Sequence, residues 1–385
     1  MRRRSIVGFE GLSRGWDAQA GALIPAPRLF AAAAGQGLSR ELDLLCREKI
    51  LGEFAVLHEA EPELILSVNI EASSAMAKKP WGDYLTMQVA AVGVTPRNVI
   101  IEILESVVED TAELARFVDR HREAGFLIAL DDVGAGHSNL NRIPLIRPDV
   151  IKVDRYLVEG LDQDLHKQEV FKSLLSMARH LGTVIIAEGA ENEAEVTALL
   201  SLGVDMIQGY YFSMPKKRGE LDPKGIHERI GRTGALYRER RLQKAGRKHV
   251  NMALYHELIR GLVGDLGRHE AAGFGACLRR ALRPEDPVEC LYVLDEEGRQ
   301  VTEMVFNGAR KSNRKSAMFR ALPAGADHSL SDYYYFLRDD GFGKPTYVTK
   351  PYISMSTGTL CVTIGARALD SGGRQHIVCL DVQAP

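Results

Sequence analysis

The sequence predicts an α/β protein whose first half is a TIM-like (β/α) barrel, and two observations carry that prediction. Short β-rich runs alternate with longer helix-like stretches from residue 5 to about 215, the pattern of parallel βα units. A carboxylate closes one apolar run after another: Glu10, Glu102, the pair Asp131-Asp132, Asp154 and Glu188. Acidic and polar residues recurring at strand ends along the whole stretch fit a barrel, whereas an open doubly wound sheet would concentrate them at one switch point.

Taken in order, the strand candidates are 5–10, 64–69, 98–103, 126–132, 149–154, 183–188 and 205–209. Helical segments such as 40–57, 111–124, 167–181 and 194–202 lie between them. After Pro215 the texture changes. Residues 222–268 hold no strand-like run, and Leu236, Leu242, Leu254, Leu258 and Leu262 mark an apolar side of a long helix. Its basic cluster of Arg238, Arg240, Arg241, Lys244, Arg247 and Lys248 reads as a solvated face. Beyond residue 270 strands dominate, at 290–294, 300–306, 346–353, 359–366 and 375–382, with helical 276–282 and the aromatic stretch 331–337. The expected domains are 1–222, a connecting helix at 223–268, and an α+β unit at 269–385.

Composition narrows the function classes. The 385 residues are 45% hydrophobic and 26% charged, ordinary globular material. A net charge of -2 provides no bulk attraction to a nucleic-acid polymer or an anionic membrane. Cys46, Cys277, Cys290, Cys361 and Cys379 form no CxxC pair, which favours reduced thiols in a cytoplasmic protein. The basic start is interrupted by Glu10, Arg14 and Asp17 before any signal-peptide core, and no run approaches a membrane span.

In a parallel barrel the C-terminal strand ends form the working face, so Glu10, Asn69, Glu102, Asp131, Asp132, Lys152, Glu188 and Gln208 are expected around one opening. The hard oxygen donors among them, with no His or Cys, suit Mg²⁺ or Mn²⁺ rather than zinc. Two adjacent aspartates on an extended backbone point in different directions, and at a strand end they serve two cations if one carboxylate bridges. Paired cations about 3.5–4 Å apart are a standard device for phosphodiester cleavage. Lys152, two residues before Asp154, faces the interior and must be paired with the carboxylates or used on a nucleophile or phosphate. A buried ion-pair network closing the barrel is the alternative.

Seven segments, in order, sharpen this: Gly8-Phe9-Glu10-Gly11-Leu12-Ser13-Arg14, Ser67-Val68-Asn69-Ile70, Ile101-Glu102-Ile103-Leu104-Glu105-Ser106, Ala129 to Ser138, Ile151-Lys152-Val153-Asp154, Ala187-Glu188-Gly189-Ala190-Glu191 and Gln208-Gly209-Tyr210-Tyr211-Phe212. Together they resemble the motifs of EAL-domain cyclic-di-GMP phosphodiesterases. The resemblance implies that Glu10, Asn69, Glu102 and Asp131 ligate a first metal, and that Asp131 bridges to a second ion held by Asp132. Glu188 and Gln208 would orient water on the metals, with Glu188 reaching the second ion. Lys152 would be the base or positioner of the nucleophilic water, making Lys152, Glu188 and Glu10 the catalytic set. Arg14 would hold a substrate phosphate, Leu12 and Gln208 would contact substrate, and Glu191 would support the loop after Asp132. The implied cofactors are two Mg²⁺ or Mn²⁺ ions, with Ca²⁺ inhibitory, and the implied assembly is a homodimer.

The chain departs from the family pattern at three places. The signature reads Glu10-Gly11-Leu12, one methyl short of the usual Ala. Val133 and His137 replace aromatic residues of a loop that couples metal binding to dimerisation, and His137 reads as a packing substitute. An antiparallel strand normally precedes the signature, whereas only nine residues precede Glu10 here, so the barrel is expected to be a strand short or completed by another segment or subunit.

In the last third, Tyr333-Tyr334-Tyr335, Tyr352-Ile353-Ser354, Cys361 to Gly365 and Asp381 resemble a PAS/Cache-like sensory domain, which implies a small-molecule or protein ligand. The reading overall is hydrolysis of cyclic-di-GMP to linear pGpG under control of this domain. The alternative is a catalytically silent cyclic-di-GMP receptor signalling through protein contacts.

Overall fold

Side chains alternate faces along a strand, and the first strands of this protein use the two faces for different ends. The computed structural model describes residues 4–70, 82–104, 111–135, 140–308, 319–338 and 345–383, without the side chains of 82–83, 104 and 244–251. Glu105, Ser106, Gly136, His137 and Ser138 lie outside the described residues, as do the side chains of Lys244, Arg247 and Lys248. The chain divides into two units, Met1–Leu242 and Gln243–Pro385.

In the first unit β1 (Gly8–Gly11) is followed by a hairpin of β2 (Gly15–Asp17) and β3 (Ala22–Ile24). Next come β4 (Ile65–Asn69), β5 (Val99–Leu104), β6 (Leu127–Val133), β7 (Val150–Val153), β8 (Val184–Ala187) and β9 (Met206–Ile207). A seven-stranded sheet runs in the order β1-β4-β5-β6-β7-β8-β9, and every pairing in it is parallel. All seven strands expected from the sequence are present.

The outward positions Leu66, Val68, Ile101, Ile103, Ile128, Leu130, Ile151, Val153 and Ile185 share one core with Leu51, Phe54, Leu114, Val118, Phe171, Leu175 and Leu199 of the surrounding helices. Each such fully buried aliphatic contributes about 1.5–3 kcal/mol. The inward positions Ile100, Ala129, Val150 and Ile186 form a second, smaller cluster with Ile65, Leu127, Val184 and Met206. Two residues further along each strand, on the same face, stand Ser67, Glu102, Asp131, Lys152, Glu188 and Gln208. A greasy floor thus carries a polar ring one layer above it.

Caps set the helix ends that feed these strands. Asp164 accepts from the backbone N–H groups of His166 and Lys167 to start Leu165–Leu181, which stops at Gly182 in the left-handed region. Asn192 and Gly203 do the same for Glu193–Leu202. The hairpin at 15–24 and the helix Ala26–Gly35 were not expected from the sequence.

Flat, a seven-stranded sheet would hold its edge strands roughly 29 Å apart, six spacings of about 4.8 Å. Here Gln208, just past β9, donates Nε2–H to Glu10 Oε2 of β1 at 2.6 Å. The sheet is curled into the TIM-like form, and side chains span the gap. Among the described residues no strand pairing joins β9 to β1.

A helix runs from Pro223 to Leu266, and the division between the units falls within it. The second unit is an antiparallel sheet of β10 (Val288–Leu294), β11 (Val305–Phe306), β12 (Thr346–Val348), β13 (Tyr352–Ile353), β14 (Leu360–Leu369) and β15 (Gln375–Gln383), in the order β11-β10-β15-β14-β12, with β13 also on β14. Tyr255, Ile259, Leu262 and Leu266, with Phe274 and Leu278 of the helix Ala271–Ala281, cover one face. Tyr333, Tyr334 and Leu337 of the helix Asp332–Arg338 cover the other, over Cys290, Tyr292 and Cys379.

Two strand expectations need correction here. The run 300–306 is a strand only at Val305–Phe306, because the buried Gln300 amide donates to the carbonyls of Thr302 and Leu322 and bends the chain there. The run 346–353 is broken into β12 and β13, with Pro351 between them, which has no N–H for a ladder. No helix among the described residues is long and apolar enough to cross a membrane.

Candidate active site

Lys152 is the hub of the ring. Its side chain is almost fully buried, and Nζ lies 2.6 Å from Glu102 Oε1, 2.7 Å from Glu188 Oε1, 3.2 Å from Asp131 Oδ1 and 3.7 Å from Glu10 Oε1. Glu10 is held further by Asn69 Nδ2 at 3.3 Å and by Gln208 Nε2 at 2.6 Å. Ser67 Oγ donates to Glu102 Oε1. Parallel register explains the gathering, since Glu10 sits opposite Ser67, Asn69 opposite Glu102, and Asp131 opposite Leu104. The structure therefore brings together Glu10, Asn69, Glu102, Asp131, Lys152, Glu188 and Gln208.

Asp132 joins by a different route, and here the sequence reading is corrected. An extended backbone would aim Asp131 and Asp132 to opposite faces. Instead Asp132 has φ 56°, in the left-handed region, and the β6–β7 register slips between Leu130 and Val133. This break in the alternation turns the second carboxylate back, so that oxygens of Asp131, Asp132 and Glu188 lie within 4.8 Å of one another. A left-handed non-glycine residue costs of order 1–3 kcal/mol and clusters at functional sites.

The electrostatics follow from burial. Desolvation pushes the Glu102 carboxyl up to about 7 and the Glu188 carboxyl up to about 8, although Lys152 opposes both. Burial, then Asp131 and Asp154, raise Asp132 as well. Burial alone would push the Lys152 ammonium down, but Glu102, Glu188, Asp131 and Glu10 together raise it above its ordinary value. Four carboxylates on one ammonium leave an excess of negative charge that calls for cations.

The donor set fits divalent metal. Glu102 Oε2 is buried and has no hydrogen-bond partner among the described residues, an expensive state for a carboxylate oxygen unless a cation takes it up. The surrounding donors are all oxygens, which suits Mg²⁺ or Mn²⁺.

Other expected residues stand outside this ring. Leu12 and Arg14 are exposed on the segment between β1 and β2, and the Arg14 guanidinium donates to the Ser13 carbonyl at 2.7 Å. Glu191 pairs with Arg155 Nη1 at 2.7 Å, and the Arg155 stem crosses Gly189, where a Cβ would lie 2.5 Å from it. Asp154 caps the short helix Arg155–Val158 by accepting from Tyr156 N–H. Ser67 was not singled out from the sequence, although its place two residues before Asn69 put it on the same strand face.

A parallel βα sheet curled around an acidic, lysine-centred mouth defines a TIM-like α/β protein equipped for divalent cations. Residues 1–215 match the EAL domain family, and the chain belongs to it. PdeB of Escherichia coli, named a probable cyclic di-GMP phosphodiesterase, is 29% identical over 214 residues, which is 55% of this chain and 40% of that protein. The chain thus spans well under two thirds of this relative's length. The Bacillus subtilis YkuI protein, with an EAL domain, solved in complex with substrate c-di-GMP and calcium, has a TM-score of 0.77 at 22% identity, a likeness of fold that covers 98% of this chain and 92% of that one. Klebsiella pneumoniae BlrP1, solved as a calcium and cy-diGMP complex, has a TM-score of 0.51 at 29% identity over 55% of this chain and 52% of that one.

Proposed function

We propose that the protein hydrolyses one phosphodiester bond of cyclic-di-GMP to give linear pGpG, using two Mg²⁺ or Mn²⁺ ions. The observation that carries this reading is the convergence of Asp131, Asp132 and Glu188 beside Lys152, in a chain whose family includes proteins solved with that dinucleotide. Glu10, Asn69, Glu102 and Asp131 would hold the first ion, with Gln208 orienting Glu10 and water; Asp131, Asp132 and Glu188 would hold the second. Bound there, such ions would supply an activated water and charge neutralisation for the leaving oxygen.

The chain's own residues divide the remaining work. Lys152, kept as an ammonium by the carboxylates around it, acts as a donor that places the nucleophile and a phosphate oxygen, not as a base. Glu188, 2.7 Å from Lys152 Nζ, would orient the attacking water, whose proton passes to solvent. Exposed Arg14 offers a forked donor to a phosphate, and Leu12 an apolar contact under the guanine. Glu191, through Arg155, steadies the turn after β8, and the support of the loop after Asp132 is assigned to it as part of this proposal.

The reading assigns residues 1–222 to this activity, 223–268 to a connecting helix and 269–385 to a PAS/Cache-like unit that regulates it through a small-molecule or protein ligand, in a cytoplasmic homodimer inhibited by Ca²⁺. Chromatography of reactions with Mn²⁺ tests it: wild type is expected to release linear dinucleotide, and Asp131→Ala to bind cyclic-di-GMP without turning it over. Tight binding by wild type with no product overturns the enzyme reading in favour of a receptor.

A further inference from the structure

The Glu102 carboxylate is fully buried, and its two oxygens are treated unequally. Oε1 receives both the Ser67 hydroxyl from the neighbouring strand and the Lys152 ammonium at 2.6 Å, whereas Oε2 receives no hydrogen bond among the described residues. Two donors on one oxygen fix the carboxylate torsion and present the other oxygen. The donors differ in kind, for Lys152 is shared among four carboxylates, while among the described residues the Ser67 hydroxyl makes its side-chain hydrogen bond to Glu102 alone. β4 and β5 are in register here, with Asn69 opposite Glu102, so Ser67 reaches across from one step below on the same face.

We infer that Ser67 is a positioning residue: it commits Glu102 to offer Oε2 alone to a divalent cation, and it thereby sets the metal affinity of the centre. The inference rests on the cation reading of the site. Residues that orient a ligand in this manner typically change metal affinity by about 10–100-fold when they are lost.

Calorimetric titration of the metal-stripped full chain with Mn²⁺ tests this without recourse to activity. Ser67→Ala is expected to weaken the tighter Mn²⁺ step by about 10–100-fold. Ser67→Cys, nearly isosteric but a poor donor, is expected to do the same, and it carries the comparison if circular dichroism shows the alanine variant unfolded. Ser67→Thr, which keeps the hydroxyl, restores affinity. Val68→Ala, on the outward face of the same strand, lowers the melting temperature and leaves Mn²⁺ affinity unchanged. Wild-type affinity in both the alanine and cysteine variants overturns the role of Ser67 alone, as does an equal loss in Val68→Ala. Absence of Mn²⁺ binding by wild type overturns the cation reading and this inference with it.

Discussion

Lys152 Nζ lies 2.6 Å from Glu102 Oε1, with side-chain exposures of 2% and 0%. A pair this deep is stable only while both members remain, because removing one leaves an unpaired charge in a medium that solvates it poorly; the cost of such a break is about 3–5 kcal/mol.

Lys152→Met is therefore expected to destabilise the cation-free protein by about that amount, 3–5 kcal/mol. It should also lower turnover by about 100–1000-fold, the usual cost of losing one preorganised donor. Saturating Mn²⁺ should recover part of the stability and none of the rate. Urea unfolding with and without Mn²⁺, beside single-turnover assays, checks both; unchanged cation-free stability would contradict the account.

The two raised carboxyls, near 7 for Glu102 and near 8 for Glu188 against an ordinary 4.5, fix a sign for pH dependence. Between these values the folded state holds protons that the unfolded chain has released. Their stabilising effect is complete below about 4.5 and fades as pH rises through 7 to 8. Lys152 stays charged across that window. The cation-free protein is expected to lose stability from pH 5.5 to 8.5, less steeply as Glu188→Gln, while Mn²⁺ affinity rises over the same range because binding releases protons. A cation-free stability that climbs across this window, measured by urea unfolding, would refute the assignment.

At Gly209 the backbone passes so close to Ala190 that a Cβ would lie 2.1 Å from its carbonyl oxygen and 2.4 Å from its nitrogen. Gly209→Ala must displace the chain beside Gln208 and so loosen its bond to Glu10. The expected result is a loss of about 1–3 kcal/mol together with reduced turnover. Gly219→Ala, with nothing within 4 Å, serves as the neutral comparison in thermal melts and assays.

In the second unit Asp381 is buried at 2% exposure, accepts from Thr363 Oγ1 at 2.7 Å and from Cys290, and is pushed up to about 6 by burial. Its ionisation above that value costs stability. Asp381→Asn keeps an acceptor for Thr363 without the charge, so it should raise the melting temperature at pH 8 and have little effect at pH 5. A lower melting temperature at pH 8 would count against it.

Most strands of the parallel sheet were legible because they pair β-branched outward residues with a polar residue near the C-terminal end, as Ile151, Lys152 and Val153 do. The ring members followed from that placement. What was not legible depends on neighbours distant in sequence. The turn at Asp132 arises where β6 slips against β7, and no local pattern distinguishes it from an extended pair of aspartates. Nor could composition tell that four carboxylates surround Lys152 Nζ, the observation on which the proposed positioning role rests. Ser67 was readable from its spacing to Asn69, but an ordinary strand serine gives no cause to look. Pro351 was visible as a strand breaker, and the run around it was still read as one strand.

The bond between Gln208 and Glu10 joins residues separated by 198 positions. At about 5–20 residues per second, a ribosome needs roughly 10–40 s to travel that distance. For all of that time Glu10 lacks the amide of Gln208, though that of Asn69 is made earlier, and the mouth stays open on one side. The ring is thus complete only once Gln208 has been made, and a pause before its codon prolongs an acidic site that lacks one of the two amide donors to Glu10.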